Sequence, residues 1–278
     1  MRSPGSESGG PHGKSHSSKV IPKTLKLLTL ARDLKRRKAR ERSGLFVAEG
    51  VRTVEELLRS ALSIRGVLTA PQLREAPRGQ ALLDSIAARS DLDAAELSER
   101  DFATAAETES PQGVLAIAEI PPRSLDDFVR VTPLTLLVLD AVQDPGNVGT
   151  IVRTAAALGA TATVALPGTV DLWNAKVVRS GMGTHFFHPA FHATAESLEG
   201  FLSATGAELW GADAKGDAVA SRPRPERLAL AVGNEGSGLT DATRSRADAL
   251  VALPIARDVE SLNVAVAAGI LLHSLRSR

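Results

Sequence analysis

The chain reads as an α/β protein with two parts, a small α/β region followed by a larger layered domain around a parallel sheet. Three observations predict this. From residue 134 onward, apolar runs near 135–139, 162–166, 207–212 and 228–232 alternate with helix-period segments near 147–158, 172–179 and 196–204, as expected for helices covering a parallel sheet. Between residues 45 and 118, shorter strand-like and helix-like pieces also alternate, and 278 residues suffice for two domains of ordinary size. The stretch Ile120-Pro121-Pro122 and the acidic residues after it punctuate the join. The expected division is a disordered tail at 1–22, an N-terminal α/β domain at 23–118, a linker at 119–133 and a C-terminal domain at 134–278.

The first 20 residues are rich in Gly, Ser, Pro and His, a composition that buries too little apolar surface to order a chain. His12 and His16 lie there and read as inert. A basic helix is expected over 24–42, because ten cations between Lys19 and Arg42 face only Asp33 and Glu41. Such a run either contacts phosphates or is a solvated helix face. Strands follow at 45–48, 64–68 and 114–118, with helices at 51–59, 73–88 and 98–107. At the far end, Val264 to Leu275 is apolar on nearly every side and predicts a buried helix, whose Ala and Gly positions let another backbone approach.

Composition excludes several chemistries. With no cysteine there is no disulfide framework, thiolate metal site or cysteine nucleophile, which suits a reducing cytoplasm. No charge-free apolar run reaches membrane-spanning length, and the N-terminus lacks a signal-peptide core. A net charge of +1 does not by itself announce a polyanion partner. His185 and His188 read as packing or surface histidines, with no third metal ligand evident.

Three short segments carry the chemistry. The first is the run Leu136 to Ala155, where a strand breaks at Asp144-Pro145-Gly146 and enters a helix with Asn147 as its expected N-cap and Arg153 a little under two turns on. The second is Leu228 to Val232 followed by Gly233-Asn234-Glu235-Gly236-Ser237-Gly238, one carboxylate held among three glycines, where the main chain itself can line a ligand pocket. The third is Leu253-Pro254-Ile255, a polar loop, then Ser261-Leu262-Asn263 at the mouth of the terminal helix, where unpaired N–H groups gather. In open α/β sheets ligands bind beyond the carboxyl ends of strands, and the first two segments sit there. A dinucleotide-binding fold is the alternative, but the first loop lacks G-x-G-x-x-G and the second lacks the Lys-Ser/Thr of a phosphate loop.

Taken in order, these segments resemble the SpoU/TrmH family of RNA 2′-O-methyltransferases, within the SPOUT superfamily. Its first motif matches Asn147 with Arg153, its second Gly233, Glu235 and Gly236, and its third Leu253-Pro254 with Ser261-Leu262-Asn263. The resemblance is strong over 134–278 and weaker over 23–118, where Phe46-Val47-Ala48-Glu49-Gly50 and Ser110-Pro111-Gln112-Gly113-Val114 look like the family's substrate-binding domain. One departure stands out: where the family has Arg-x-Ser-x-Gly, this chain has Arg179-Ser180-Gly181-Met182-Gly183.

The resemblance implies a trefoil-knotted C-terminal domain, an exception to unknotted topology, with S-adenosylmethionine folded into it and no metal. It also implies a homodimer whose shared face completes the site. Asn147, Arg153, Glu235, Ser261 and Asn263 become the implied catalytic residues, and Gly233, Leu253, Ile255 and Leu262 the implied cofactor contacts. The implied reaction methylates a ribose 2′-hydroxyl of structured RNA, with 23S-type ribosomal RNA favoured. Methylation of tRNA, resistance-conferring rRNA methylation and a noncatalytic RNA-binding or assembly factor are the alternatives. An arginine has five donors and no acceptor, so orienting a phosphate and stabilising a developing oxyanion suit Arg153 better than a base role.

Overall fold

The computed structural model describes residues 23–256, 258, 259 and 261–276; the tail expected at 1–22, with His12 and His16, lies outside them. The N-terminal domain runs α1 (Lys23–Asp33), α2 (Arg37–Ser43), β1 (Leu45–Glu49), α3 (Val51–Arg59), β2 (Ile64–Thr69), α4 (Pro77–Ala87), β3 (Ala94–Glu96), α5 (Glu99–Ala105) and β4 (Val114–Glu119). Its sheet has the order β1-β4-β2-β3, antiparallel except between β2 and β3. Helix α3 begins where Gly50, at φ 96°, swings the chain out of β1, and it buries Val51, Val54 and Leu57 on one face.

The single basic helix expected over 24–42 is two helices. The chain turns at Leu34–Arg36, and Arg40 reaches back to the carbonyls of Leu34 and Lys35 at 2.7 and 2.9 Å, so its guanidinium satisfies acceptors just past the end of α1. Arg40 is buried, and its Nε donates to Asp171 of the second domain at 2.6 Å. The basic run is therefore not one uniform solvated face. The segment expected as a helix over 73–88 opens with a 3-10 turn, Pro71–Glu75, before α4.

The C-terminal domain runs β5 (Leu134–Leu139), α6 (Pro145–Ala157), β6 (Ala162–Ala165), α7 (Ala175–Ser180), β7 (Ala190–His192), α8 (Ala195–Thr205), β8 (Glu208–Ala218), β9 (Arg227–Val232), α9 (Asp241–Arg246), β10 (Ala249–Ala252) and α10 (Val264–Ser274). Its six strands are parallel in the order β10-β8-β9-β5-β6-β7. Central β5 is covered on both faces, which is why Leu136, Leu137, Val138 and Leu139 form an unbroken apolar run. The short β7 and β10 and the six-residue α9 carry too little periodicity to be read from sequence. The connecting stretch holds a 3-10 turn, Leu125–Phe128, whose Leu125 and Phe128 pack into the C-terminal domain's core.

Helix α10 departs from the expectation of burial on all sides. Val264, Ala265, Ala268, Leu271 and Leu272 face inward, but Val266 is 50% and Ile270 42% exposed. The outward face is apolar although nothing among the described residues covers it.

Between the domains, the Phe46 ring lies 4.6 Å from Trp173 and 5.9 Å from Phe186, beside the buried Arg40–Asp171 pair. Burial pushes the Asp171 carboxyl up, but hydrogen bonds from His192, the Trp173 N–H and Arg40 outweigh it and hold the group at about 2. Among the described residues no helix is long and apolar enough to cross a membrane.

Candidate active site

The site grows from the carboxyl ends of β5 and β9, the two central strands, whose loops meet. After β5 the chain bends through Ala141, at φ 59°, and enters α6. Asn147 is not the N-cap as expected. Asp144 caps α6 by accepting from the Asn147 N–H at 2.7 Å, and Pro145 occupies the first helical position, where a missing N–H costs nothing. The Asn147 side chain is thereby released for other partners. Its Nδ2 donates to Glu235 at 3.0 Å, and its Oδ1 accepts from Asn263 Nδ2 at 3.0 Å. Asn263 also caps α10, its Oδ1 accepting from the N–H groups of Ala265 and Val266.

Glu235 closes this chain of contacts. It accepts from the backbone N–H of Gln143 at 3.3 Å and of Asp144 at 3.2 Å as well as from Asn147. Partial burial works to raise its carboxyl, but the Asn147 amide and the backbone donors prevail and hold it below the usual carboxylate range. It does not cap the following helix; Thr240 does that for α9. Glu235, Asn147 and Asn263 thus join the three motif segments, 88 and 116 residues apart along the chain, into one hydrogen-bonded corner.

Sequence reasoning missed Asn234, the organiser of the glycine loop. Its Oδ1 accepts from the N–H groups of Gly236 and Ser237, its Nδ2 donates to the Ala141 carbonyl at 3.0 Å, and its backbone pairs with Gly238. The signal was present, because an Asn followed by Gly and Ser within four residues is an Asx-turn pattern. Gly233 is obligatory on steric grounds, since a Cβ there would sit 2.2 Å from the Gly238 carbonyl carbon. Buried Asp140, also missed, ties the loop down by accepting from the Thr240 N–H at 2.7 Å.

Against this loop lies a cavity of about 330 Å³. Gly233, Leu253, Ile255 and Leu262, the four expected cofactor contacts, all line it, as do Glu235 and Ser261. Val251, Val264 and Leu271 add apolar wall, and Asp213, paired with Arg244, adds a carboxylate at the edge. The volume and mixed lining suit a small organic cofactor with an apolar ring and a polar tail. No group of residues able to hold a metal ion occurs among the described residues.

Arg153 stands apart. It is exposed on α6 and has neither a hydrogen bond nor an ion pair among the described residues, and neither Ser261 nor Asn263 bonds to it. It lies one helical turn beyond Gly149, which packs so closely on α7 that a Cβ would meet Ser180 at 2.5 Å. The family position at Gly181 also finds an explanation here: a Cβ on Gly181 would lie 2.5 Å from His185 Nδ1, so the buried His185 ring fills the space a serine needs. Burial, reinforced by His188, pulls His185 down to about 4. Arg179, the matching motif arginine, is turned toward Glu49 of the N-terminal domain at 3.7 Å.

Comparison with known proteins agrees with this geometry. The SpoU rRNA methylase family matches residues 134–273, and an MRM3-like substrate binding domain matches residues 28–116. The chain is 36% identical over 245 residues to the 23S rRNA (guanosine(2553)-2′-O)-methyltransferase RlmP of Bacillus subtilis, covering 86% of this chain and 92% of that one. It is 31% identical to the 23S rRNA (uridine(2479)-2′-O)-methyltransferase of Streptomyces viridochromogenes, covering 87% and 86%. Among solved structures, an AdoMet-bound rRNA methyltransferase from Sinorhizobium meliloti superposes with a TM-score of 0.77 at 30% identity, covering 92% of this chain and 96% of that one. The SpoU methyltransferase AviRb from Streptomyces viridochromogenes, in complex with AdoMet, gives 0.80 at 28% identity, covering 90% and 96%. With its three motifs brought into one corner and both domains matched, the chain belongs to the SpoU rRNA methylase family.

Proposed function

We propose that the chain transfers a methyl group from S-adenosylmethionine to a ribose 2′-hydroxyl of 23S ribosomal RNA, using the corner formed by Glu235, Asn147 and Asn263 and the cavity beside it. The observation that carries this reading is the hydrogen-bonded corner that joins all three motif segments, set beside an apolar-walled cavity lined by the second and third. When bound, S-adenosylmethionine supplies an electrophilic methyl group. The residues of the chain do the rest. Gly233 and its neighbours offer backbone groups at close range, Leu253, Ile255 and Leu262 enclose an apolar ring, and Ser261 faces the same space. Glu235 and Asn147 set the angle at which α6 leaves the loop. Arg153, without a partner among the described residues, orients the acceptor ribose and its phosphate and stabilises negative charge developing on the 2′ oxygen. Alignment of this kind is the main source of rate for a direct group transfer. The ribose is the same whichever base it carries, which fits relatives named for a guanosine and a uridine target.

The working form is a homodimer. Val266 and Ile270 present an apolar face on α10, and α10 packs on α6 so closely that a Cβ on Gly269 would lie 3.1 Å from Thr154, the neighbour of Arg153. A second copy on this face would complete the surroundings of Arg153. Ile270→Asp should yield monomers in sedimentation analysis with sharply reduced turnover.

The activity is tested by incubating the full chain with labelled S-adenosylmethionine and deproteinised 23S rRNA, then mapping ribose methylation. A new 2′-O-methyl mark is expected. Label on a base, or none at all, would overturn the reading.

A further inference from the structure

A second cavity, of about 490 Å³, opens between the domains on the far side of the first motif turn. Its floor is the Arg40–Asp171 pair, and its rim carries Lys35 and Arg37 from the N-terminal domain and Gln143 and Asn174 from the C-terminal one. The floor is internally neutral, so the charge facing this space is that of Lys35 and Arg37. Lys35 is half-buried and held in place by the Ala106 carbonyl at 2.7 Å, which does not neutralise it. Arg37 meets Glu41 at 2.7 Å in an exposed pair, an interaction weak enough for a phosphate to displace. Asn174 uses its Oδ1 to cap α7, leaving its amide N–H groups without a partner among the described residues, and the Gln143 side chain has none either.

From this we infer that the interdomain cleft is a nucleotide subsite, taking an unpaired nucleotide that flanks the methylated one, with its phosphate on Lys35 and Arg37 and its base edge on the amides of Gln143 and Asn174. The inference rests on the RNA methyltransferase reading above. Two cations beside two unpaired amides match a phosphate joined to a hydrogen-bonding base edge, and unpaired RNA is what side chains read best. The link to catalysis is covalent. Gln143 presents its side chain to the cleft while its own N–H donates to Glu235, so an occupant touches the turn that positions Asn147. The cleft also divides the basic run by function. Arg40 is structural, Lys35 and Arg37 face RNA, and Lys23 pairs with Asp93 elsewhere.

The test measures affinity for deproteinised 23S rRNA over a salt series, with turnover at saturating RNA, for the full chain, two double variants and one single variant. Lys35→Ala/Arg37→Ala should weaken affinity at least tenfold and flatten the plot of log affinity against log salt by about 0.7, the change for one lost single-strand phosphate contact. Its turnover at saturating RNA should fall less than its affinity, because the lost contacts act first in binding. Lys23→Ala/Lys26→Ala, on the same basic run but outside the cleft, should change neither quantity. Asn174→Ser, which keeps a capping oxygen but loses the amide, should reduce discrimination among RNAs altered at the flanking base. Unchanged affinity and salt slope in the cleft variant, beside an active wild type, overturns the subsite alone. A wild type that leaves 23S rRNA unmethylated defeats the functional reading and the subsite with it.

Discussion

The first and third turns of α6 could hardly be treated more differently by the fold. In the first turn, both polar atoms of the Asn147 side chain are engaged, one by Glu235 and the other by Asn263. In the third, Arg153 is exposed and bonded to nothing among the described residues. Residues that hold the loops in place are saturated by each other, and the residue proposed to meet the substrate is left open. Loss of the first kind should cost stability and activity together; loss of the second should cost activity alone. Arg153→Ala is therefore the sharpest test. Methyl transfer should fall by about 100- to 1,000-fold, the scale for removing one stabilising donor from a transition state. Thermal midpoint and S-adenosylmethionine affinity, by scanning and titration calorimetry, should match wild type. Arg153→Lys should recover little, since an ammonium lacks the planar fork. A destabilised Arg153→Ala protein would erase the contrast.

Glu235→Ala attacks the saturated side. It strands the Asn147 amide and the N–H groups of Gln143 and Asp144, and each unsatisfied donor that remains buried costs about 1–3 kcal/mol. Partial solvent access at Glu235 places the expected loss at the lower end. Denaturant unfolding should show it, and turnover should fall as the loop loosens. An intact midpoint would mean that water replaces the carboxylate without loss.

The packing around His185 and His188 should fail in acid before the active corner does. Burial holds both His185 and His188 neutral down to about 4. Between that value and the ordinary histidine range, the unfolded chain binds protons that the folded chain refuses, so stability falls as pH falls. The slope should approach about 1.4 kcal/mol per pH unit for each histidine. Urea midpoints between pH 7 and pH 5 should show the slope, and His185→Leu should flatten it.

Much of this was legible beforehand because it is local. The central strands announce themselves as apolar runs, and α3 matches its expected span residue for residue because its Val51, Val54 and Leu57 stripe has a helical period. The four residues expected as cofactor contacts line one cavity. What was not legible depends on partners distant in sequence. Nothing local distinguishes Arg40 from the cations around it, yet Asp171, 131 residues away, takes it inside. Asn147 looked like a cap because Asp144 and Asn147 are both good caps, and Pro145 decides between them by taking the first helical position. The exposed stripe of α10 was hidden because Val266 and Ile270 look like core residues.

The surface on which α6 rests offers a smaller perturbation. Gly181→Ser restores the residue usual in the family but drives a Cβ to 2.5 Å from the His185 ring. Overpacking of this kind typically costs about 1–3 kcal/mol. The added His185→Ala change should relieve it, so the double variant should be more stable than the sum of the two single effects. Simple additivity would show that His185 moves aside freely.

The finest test separates two duties within one residue. Asn263 caps α10 through its Oδ1 and holds Asn147 through its Nδ2. Asn263→Ala removes both and should cost about 1 kcal/mol for the cap alone. Asn263→Ser keeps a capping oxygen, and serine caps about as well as asparagine, so stability should stay within about 0.5 kcal/mol of wild type. The serine hydroxyl is too short to replace the amide at Asn147. If the corner positions α6 for Arg153, turnover in Asn263→Ser should fall several-fold at an unchanged midpoint, and S-adenosylmethionine affinity should hold. Wild-type turnover in Asn263→Ser would assign Asn263 to the helix alone and leave Glu235 as the sole anchor of Asn147.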